Sequence, residues 1–311
     1  MNRNILVTGA AGNIGSALIE RLIKDPDTRV VGVDNFLTGS RSKLPSNHGG
    51  NFSFAEADVN NLESIASVMR STKFDFVFHY AAVVGVQRTL ANPVTVLRDI
   101  DGIKNVLELS RETGVKRIFY SSSSEVYGEP VHLPQNEETT PLNSRLPYAI
   151  VKNVGEAFIR SYYKEYGLSY AIFRFFNTYG PRQSEDFVIS KFIKQSAGNQ
   201  DITIYGDGSQ TRTFCYIDDN IETTMRCLND NKCVNDVMNI GSNEEISIAD
   251  LAKKVISITG TKSRIKFLPP LKEGDMTRRM PDITKMQSIL SRPLISLTEG
   301  ITRTLNEKHF F

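Results

Sequence analysis

The sequence predicts an α/β fold in which a doubly wound parallel sheet is followed by a smaller C-terminal lobe. Short β-branched runs alternate with helical patterns over residues 1–176, and a glycine-rich turn directly follows the first run. The alternation ends near residue 180. Alternating segments of this length favour parallel βαβ units with right-handed crossovers. We therefore assign one domain to residues 1–176 and a second to residues 177–311, with a segment near residues 236–260 that can return to the first domain.

The individual elements follow from the period of the apolar residues, two for strands and about three and a half for helices. The predicted strands are residues 5–7, 29–33, 52–56, 76–79, 117–120 and 169–176. The predicted helices are residues 14–24, 62–70, 93–113 and 148–166. Beyond residue 180, proline, glycine and polar clusters divide the pattern into shorter pieces, and residues 237–240 are a candidate strand for the main sheet.

Composition argues against several classes of function. The chain has 311 residues, of which 40% are hydrophobic, so it can build a sizeable core. Its 37 basic and 35 acidic residues favour neither a nucleic acid nor a membrane surface as a partner. The three cysteines have no CxxC spacing, and the N-terminal apolar run is too short for a signal peptide, so we expect a cytoplasmic protein. The four histidines are too scattered for a metal site, and we expect none.

The turn Gly9-Ala-Ala-Gly12-Asn-Ile-Gly15 links the first strand to the first helix. Glycines there allow a tight turn, a close approach of the backbone to a pyrophosphate, and close packing of the helix on the strand. The phosphates then lie at the helix N-terminus, where the backbone N–H groups and the helix dipole favour anions. The turn therefore predicts a dinucleotide site that includes Gly9, Gly12, Asn13 and Ile14.

Asp34 ends the second strand, nineteen residues after Gly15. A carboxylate at this position accepts hydrogen bonds from the adenosine ribose hydroxyls and repels a 2′-phosphate, which favours NAD over NADP. The alternative is that Asp34 only caps a turn. Asp58 and Val59 follow the third strand and are candidates to face the adenine, although an ordinary polar loop would have the same sequence.

Tyr148 and Lys152 lie on the predicted helix that begins after Pro147, and residues four apart share one helix face. A nearby cation stabilises a phenolate and lowers the tyrosine pKa from its reference value of about 10. The pair therefore predicts a general base for a hydroxyl proton near neutral pH. The serines at 121–124 follow a parallel strand, where ligands bind in open α/β sheets, and one of them can relay the proton. A serine-rich loop without a catalytic role is the alternative.

In this order the motifs resemble those of extended short-chain dehydrogenases/reductases, in the nucleotide-sugar epimerase/dehydratase group with a Rossmann sheet. The resemblance covers almost the whole chain, and its C-terminal motifs are specific because simple reductases of the fold lack them. Besides the glycine turn, the matching motifs are Asp34-Asn35, His79-Tyr80-Ala81-Ala82, Ser122-Ser123-Ser124, Tyr148/Lys152, Arg174-Phe-Phe-Asn177-Thr-Tyr-Gly180-Pro181-Arg182, Tyr205-Gly-Asp-Gly-Ser-Gln-Thr-Arg212, Asn239-Ile-Gly241 and Arg278-Arg279-Met-Pro-Asp282.

The resemblance implies roles for the matching residues. Tyr148 would be the base, Lys152 its ribose-binding partner, and Ser123 the hydroxyl that binds the sugar O4. Asn35 and Ala81 would join the NAD site. The substrate would be a nucleotide diphosphate-sugar of the UDP-hexose type, with Tyr205 near the nucleobase. The residues implied to hold it are Ser123, Glu125, Asn177, Tyr205, Arg212 and Arg278. One arginine of the Arg278-Arg279 pair would bind the diphosphate, because its fork matches phosphate oxygens, and the choice between the two is open.

The resemblance also implies a homodimer through helices 93–113 and 148–166. Both carry apolar residues on more than one face, and such a helix buries more than one side. We therefore expect two copies of the chain to pair along these helices.

Two positions depart from the family pattern. Asp99-Ile-Asp-Gly102-Ile103 stands where the family often has Asn-Val-x-Gly-Thr, so Asp99 would alter the local charge if it faces the site. Residues 123–125 are Ser-Ser-Glu. Similar sugar 4,6-dehydratases commonly have Thr-Asp-Glu there, whereas uronate decarboxylases and guanosine-linked dehydratases have Thr-Ser-Glu.

These residues lead to one hypothesis and three alternatives. The leading hypothesis is an NAD-dependent UDP-hexose 4-epimerase that works through a transient 4-keto sugar. UDP-glucuronate decarboxylase and nucleotide-sugar 4,6-dehydratase share the oxidation step and are the enzymatic alternatives. A non-catalytic NAD-binding sensor is the alternative of another class, and the intact Tyr148/Lys152 pair argues against it.

Overall fold

The computed structural model describes residues 3–45, 50–270 and 278–307, and every element below lies within these ranges. His48 and His309, two of the four scattered histidines, lie outside the described residues. The first part of the chain alternates strands and helices: β1 (Arg3–Thr8), α1 (Asn13–Leu22), β2 (Thr28–Asp34), β3 (Phe52–Glu56), α2 (Leu62–Ser71), β4 (Phe76–His79), α3 (Val86–Ala91), α4 (Pro93–Leu97), α5 (Asp99–Thr113), β5 (Arg117–Ser123), α6 (Pro147–Tyr166) and β6 (Ser169–Phe175).

The second part has shorter strands between its helices. Its elements are β7 (Thr178–Tyr179), α7 (Val188–Ala197), β8 (Ile202–Tyr205), β9 (Thr211–Thr213), β10 (Cys215–Tyr216), α8 (Ile217–Asn229), β11 (Asp236–Ile240), β12 (Glu245–Ser247), α9 (Ile248–Thr259), β13 (Ile265–Leu268), α10 (Thr284–Leu290) and α11 (Leu297–Asn306). Three two-stranded sheets, β7 with β10, β8 with β13 and β9 with β12, form a small lobe with α7, α9 and α11.

A seven-stranded parallel sheet forms the centre of the molecule, in the order β3–β2–β1–β4–β5–β6–β11. This is the doubly wound α/β sheet that the sequence predicts. The strand order reverses between β1 and β4, which are direct neighbours. The carboxyl ends of the strands at such a switch point open a crevice in which ligands bind. The seventh strand, β11, comes from the second half of the chain and pairs with β6.

Each face of the sheet is covered by its own apolar core. Helices α2, α5 and α6 pack together over one face, and α1 and α8 pack over the other. Because a parallel sheet is covered on both faces, its strands are apolar along their length rather than alternating. Ile5, Leu6 and Val7 are consecutive in β1 and all are 0% exposed. The crevice therefore lies at the carboxyl end of a sheet that is covered on both faces.

Two helices differ from the sequence-based prediction. The predicted helix 93–113 is divided into α4 and α5, because Asp101 N–H bonds the Arg98 carbonyl at 2.9 Å and tightens the turn there. The six-residue helix α3 has no predicted counterpart, since so short a segment shows no helical period. No helix in the described ranges is long and apolar enough to cross a membrane. Within the same ranges, His, Cys, Asp and Glu side chains form no cluster that could hold a metal ion.

Candidate active site

The glycine turn between β1 and α1 has no room for side chains at two positions. Gly9 has a φ of +71°, and a Cβ there would lie 2.7 Å from the backbone N of Ala81. A Cβ at Gly15 would lie 2.2 Å from the Gly9 carbonyl oxygen. The N-cap residue Gly12 makes no side-chain hydrogen bond to α1. The first N–H groups of the helix are therefore presented to the crevice without a capping side chain, as a phosphate site requires.

Asp34 connects this turn to the end of β2. Its Oδ2 accepts the Ala11 N–H at 2.9 Å, and its Oδ1 accepts the Phe36 N–H at 2.8 Å. The sequence left two roles open, a ribose ligand or a turn cap, and the structure shows that Asp34 does shape the turn. Each carboxylate oxygen can accept a second hydrogen bond, so this contact is compatible with a role at the ribose.

A cavity of about 310 Å³ extends from the glycine turn along the strand ends. A second cavity of about 970 Å³ opens toward the lobe and is lined by Tyr205 and Arg212. Glu125, Asn177 and Arg279 line both cavities, so the two meet there. The first cavity is lined by every residue predicted for the cofactor, namely Gly9, Gly12, Asn13, Ile14, Asp34, Asn35, Asp58, Val59, Ala81, Tyr148 and Lys152, and also by Ser123.

The predicted catalytic side chains come together where the cavities meet. Pro147 begins α6, as its fixed φ favours, and places Tyr148 and Lys152 on adjacent turns of one face. The Lys152 Nζ lies 5.6 Å from the centroid of the Tyr148 ring. Ser123 ends β5 and hydrogen-bonds the Tyr148 phenol, while its Oγ accepts the Glu125 N–H at 3.1 Å. A phenol, an ammonium and a hydroxyl thus converge on one point of the cavity wall.

Burial controls the protonation states of these groups. It lowers the pKa of Lys152 to about 8, although Asp99 acts to raise it. Burial raises the pKa of the Tyr148 phenol above its usual value, an effect that the Ser123 hydrogen bond partly offsets. The sequence predicts that Lys152 lowers the pKa of Tyr148. In the chain without cofactor or substrate, burial of the phenol has the larger effect, and the pKa of Tyr148 is raised instead.

His79 lies next to this group and is not a proton carrier. Burial, and then the charge of Lys152, lower the pKa of His79 to about 3. Its Nδ1 lies 2.9 Å from the Thr8 Oγ1. The imidazole is therefore neutral across the physiological range and holds β4 to β1.

Arg279 faces the junction of the cavities, and Arg278 does not. The Arg279 Nη2 lies 2.7 Å from the Glu125 Oε1, with side chains only 6% and 15% exposed, and its Nη1 lies 3.5 Å from the Ser124 Oγ. Arg278 points to the surface and donates two hydrogen bonds to Glu245, at 2.6 and 2.7 Å. Of the two arginines, the structure therefore places Arg279, and not Arg278, on the cavity wall. Neighbouring residues of an extended segment point to opposite sides, and the sequence could not decide between them.

The remaining predicted substrate residues lie on the lobe side of the junction. Asn177 adopts a φ of +37° and donates its Nδ2 to the Thr213 carbonyl at 2.9 Å. Arg212 lies on β9 and is 8% exposed. The Tyr205 ring ends β8, with the Lys191 Nζ 4.9 Å from its centroid. Buried cations and an aromatic ring here suit an anionic diphosphate and a flat base.

Sequence reasoning missed two cations that line the first cavity, Lys43 and Arg88. Burial lowers the pKa of Lys43, while the charge of Asp34 acts to raise it. Arg88 donates to the Val84 carbonyl at 2.8 Å and pairs with Asp186 at 2.6 Å, which connects α3 to the segment before α7. In a chain with nearly balanced charge, no sequence signal distinguishes these two from surface cations.

The residues present fit NAD. Gly9 and Gly15 allow the close backbone packing of the β1–α1 turn, the α1 N-terminus lines the first cavity, and Asp34 stands at the end of β2. Together the fold and the site define a dinucleotide-dependent enzyme with a tyrosine–lysine pair. The profile of the NAD-dependent epimerase/dehydratase family matches residues 5–241. The chain belongs to this family and uses NAD.

Known proteins similar to this chain differ in the reaction named for them. A putative UDP-glucose 4-epimerase of Methanocaldococcus jannaschii is 37% identical, with 97% of each chain covered. UDP-glucuronic acid decarboxylase 1 of Danio rerio is 34% identical over 97% of this chain and 72% of that protein. The crystal structure of UDP-glucuronic acid 4-epimerase from Bacillus cereus, with UDP-glucuronic acid and NAD, has a TM-score of 0.87 at 32% identity, covering 97% of this chain and 98% of the other.

Proposed function

We propose that the chain is an NAD-dependent 4-epimerase of a UDP-hexose, working through a transient 4-keto sugar. One observation carries the proposal: Tyr148, Lys152 and Ser123 converge where the dinucleotide cavity meets a second cavity lined by Arg212 and Tyr205. A nucleotide sugar whose diphosphate lies in the second cavity would present its hexose at this junction. The epimerases among the similar proteins support this assignment.

Each of the three side chains has a defined task in this reaction. Tyr148 takes the proton of the C4 hydroxyl, and Ser123 orients the oxygen by a hydrogen bond. Lys152, as a cation, stabilises the phenolate against the cost of its burial. NAD supplies a hydride acceptor and donor for C4 of the sugar. After the 4-keto sugar has rotated to present its other face, Tyr148 returns the proton to O4. Glu125 therefore has no proton to transfer.

Decarboxylation of a UDP-hexuronate is the second candidate, and the Arg279–Glu125 ion pair favours it. Oxidation at C4 of a hexuronate gives a β-keto acid, which loses carbon dioxide readily. A guanidinium at the junction can bind the substrate carboxylate, since its fork matches two carboxylate oxygens. The Glu125 Oε2 is buried and has no hydrogen-bond partner among the described residues, so it can receive a substrate group. The decarboxylase among the similar proteins fits this alternative.

Mass spectrometry of the products from a panel of UDP-hexoses and UDP-hexuronates, run in deuterium oxide, tests the proposal. We expect a product that chromatography separates from its substrate, that has the same mass, and that carries no carbon-bound deuterium, because the hydride returns to the same carbon. A product that has lost carbon dioxide would show that the enzyme is a decarboxylase. A product that has lost water and carries deuterium at C5 would show that it is a dehydratase. NAD binding without turnover of any of these sugars would indicate a non-catalytic NAD-binding sensor.

We also propose a homodimer that forms along α4 and α6 in the cytoplasm. Val94, Leu97 and Ile150 on these helices are 67%, 40% and 38% exposed. Other apolar residues of the same segments, such as Val106 and Val151, already lie in the core of the single chain. The exposed set is therefore what a second copy would cover.

A further inference from the structure

Cys227 and Cys233 form a pair of neighbouring thiols that the proposed reaction does not use. Their Sγ atoms lie 2.8 Å apart. Cys227 is fully buried in the last turn of α8, and Cys233 is half-buried in the turn that leads from α8 to β11. Neither residue lines the two cavities described above. The pair is therefore a separate feature of the molecule, near the amino end of β11.

The distance between the two sulfur atoms limits the chemistry that the pair can carry out. Two thiolates that each lie about 2.3 Å from a tetrahedral metal ion are about 3.8 Å apart. The Cys227 and Cys233 sulfurs are closer together than that. A disulfide bond of about 2.05 Å requires only a short further approach. The geometry thus favours a bond between the two sulfurs over a metal ion that both would hold.

The backbone of the turn brings Cys233 to this position at a cost. Cys233 has a φ of +54°, in the left-handed region, and Asn231 and Asn235 on either side have φ values of +53° and +56°. Asparagine tolerates this region because its short polar side chain can hydrogen-bond locally, whereas a cysteine has no such compensation. A strained residue of this kind often has a functional reason. Here the strained residue is the one whose sulfur contacts Cys227.

Polar contacts hold the pair in place and distinguish the two sulfurs. Arg117 of β5 donates its Nη1 to the Cys227 carbonyl at 3.2 Å, and its Nη2 donates to the Asn231 side chain. The hydrogen bond to Cys233, and then burial, raise the pKa of Cys227, which the charges of Arg117 and Lys232 oppose. Cys227 is therefore a buried thiol. The half-buried Cys233 is the sulfur that a dissolved reagent reaches first.

We propose that Cys227 and Cys233 are a redox-active dithiol that a small-molecule disulfide converts to an intramolecular disulfide. The Cys233 thiolate attacks one sulfur of the reagent, forms a mixed disulfide and releases one reagent thiolate. The Cys227 thiolate then attacks the Cys233 sulfur and displaces the second reagent thiolate. The two protein thiols lose two electrons and two protons, and the reagent disulfide becomes two thiols. A reduced thiol reverses both steps.

Titration with glutathione tests the proposal on the purified NAD-bound protein. The protein is equilibrated with mixtures of reduced and oxidised glutathione and quenched with acid, and its free thiols are alkylated in denaturant and counted by mass spectrometry. We expect two of the three thiols to be lost together as the mixture becomes more oxidising, with no glutathione retained. Dithiothreitol should restore all three.

Trypsin identifies the bond, because it cleaves after Lys232, between the two cysteines. The non-reduced digest of the oxidised protein should contain residues 227–232 linked to residues 233–253. Three free thiols in oxidised glutathione alone would overturn the proposal. A stable glutathione adduct on Cys233 without the linked peptides would also overturn it.

Serine variants assign the order of the two steps. Cys215→Ser is the matched control, because it removes the third thiol, which is buried in β10, and it should oxidise as the parent protein does. Cys227→Ser should retain one glutathione on Cys233 and give no linked peptides. A Cys227→Ser protein that takes up no glutathione would refute Cys233 as the thiol that reacts first. These measurements use no sugar nucleotide, so their outcome is independent of the proposed function.

Discussion

Beneath α6, Glu156 and Arg174 form an ion pair that is almost completely buried, with side chains 4% and 2% exposed. Arg174 donates its Nε and Nη2 to the two Glu156 oxygens at 2.9 and 2.7 Å, and its Nη1 to the Tyr127 hydroxyl at 2.8 Å. The Ser122 hydroxyl donates to Glu156 at 2.6 Å. The Glu156 carboxylate therefore accepts hydrogen bonds from both Arg174 and Ser122.

Glu156→Gln should lower the free energy of unfolding by about 3–5 kcal/mol, the usual cost of leaving one partner of a buried pair without the other. Burial acts to lower the pKa of Arg174, and the pairing with Glu156 raises it above its usual value. An arginine guanidinium keeps its proton at physiological pH even without a partner, so Arg174 stays charged after the change. The matched control is Glu299→Gln, which breaks an ion pair to Arg303 with side chains 44% and 52% exposed. That change should cost about 0.5 kcal/mol or less.

Urea unfolding followed by circular dichroism, with equal m-values required for the comparison, measures both changes. The double variant Glu156→Met with Arg174→Met removes both charges and should recover most of the loss, because two well-packed apolar chains replace a buried pair at little cost. Equal small losses for Glu156→Gln and Glu299→Gln would refute the reasoning. A double variant no better than Glu156→Gln would show that packing, and not charge, sets the cost.

Four further predictions concern the site and the assembly. Tyr148→Phe should keep NAD binding but lose about a hundredfold or more in turnover, and near-normal turnover would remove Tyr148 from the mechanism. Glu125→Gln should retain turnover within about tenfold and Ser123→Ala should lose more, since only Ser123 orients O4; collapse of the Glu125 variant together with solvent deuterium at C5 of the product would favour elimination chemistry. Calorimetry should show tighter binding of NADH than of NADPH, and the reverse order would exclude Asp34 as the ribose ligand. Light scattering at micromolar concentration should give a dimer, and a monomer would contradict pairing along α4 and α6.

The cofactor half of the site could be predicted because each of its motifs is formed by residues that are close together in the sequence. The glycine turn needs only a strand before it and a helix after it, and Asp34 needs only to end the next strand. Likewise, once a helix is predicted, the spacing of four residues places Tyr148 and Lys152 on the same helix face. The structure brings all of them to one cavity. Local rules suffice where the backbone itself forms the site.

The substrate half depends on contacts between distant segments, and a single sequence holds no record of them. Whether Arg278 or Arg279 enters the junction depends on how a segment far along the chain passes Glu125. The burial of Glu156 against Arg174 is of the same kind. Motifs can name these residues, but only the packing of the lobe on the sheet sets which side chain faces inward.

The charges at the junction of the cavities come in opposed sets. Arg279 pairs with Glu125, and Arg88 pairs with Asp186, each carboxylate being supplied by a different segment from its cation. The junction is thereby close to electrical balance, which suits a hexose that must rotate in place, whereas Arg212 lines the second cavity, where a diphosphate is expected. A change that removes one carboxylate leaves an uncompensated cation in a buried site, so its effect extends beyond the lost contact. For this reason Glu125→Gln, which changes charge and keeps shape, tests the site more sharply than an alanine substitution would.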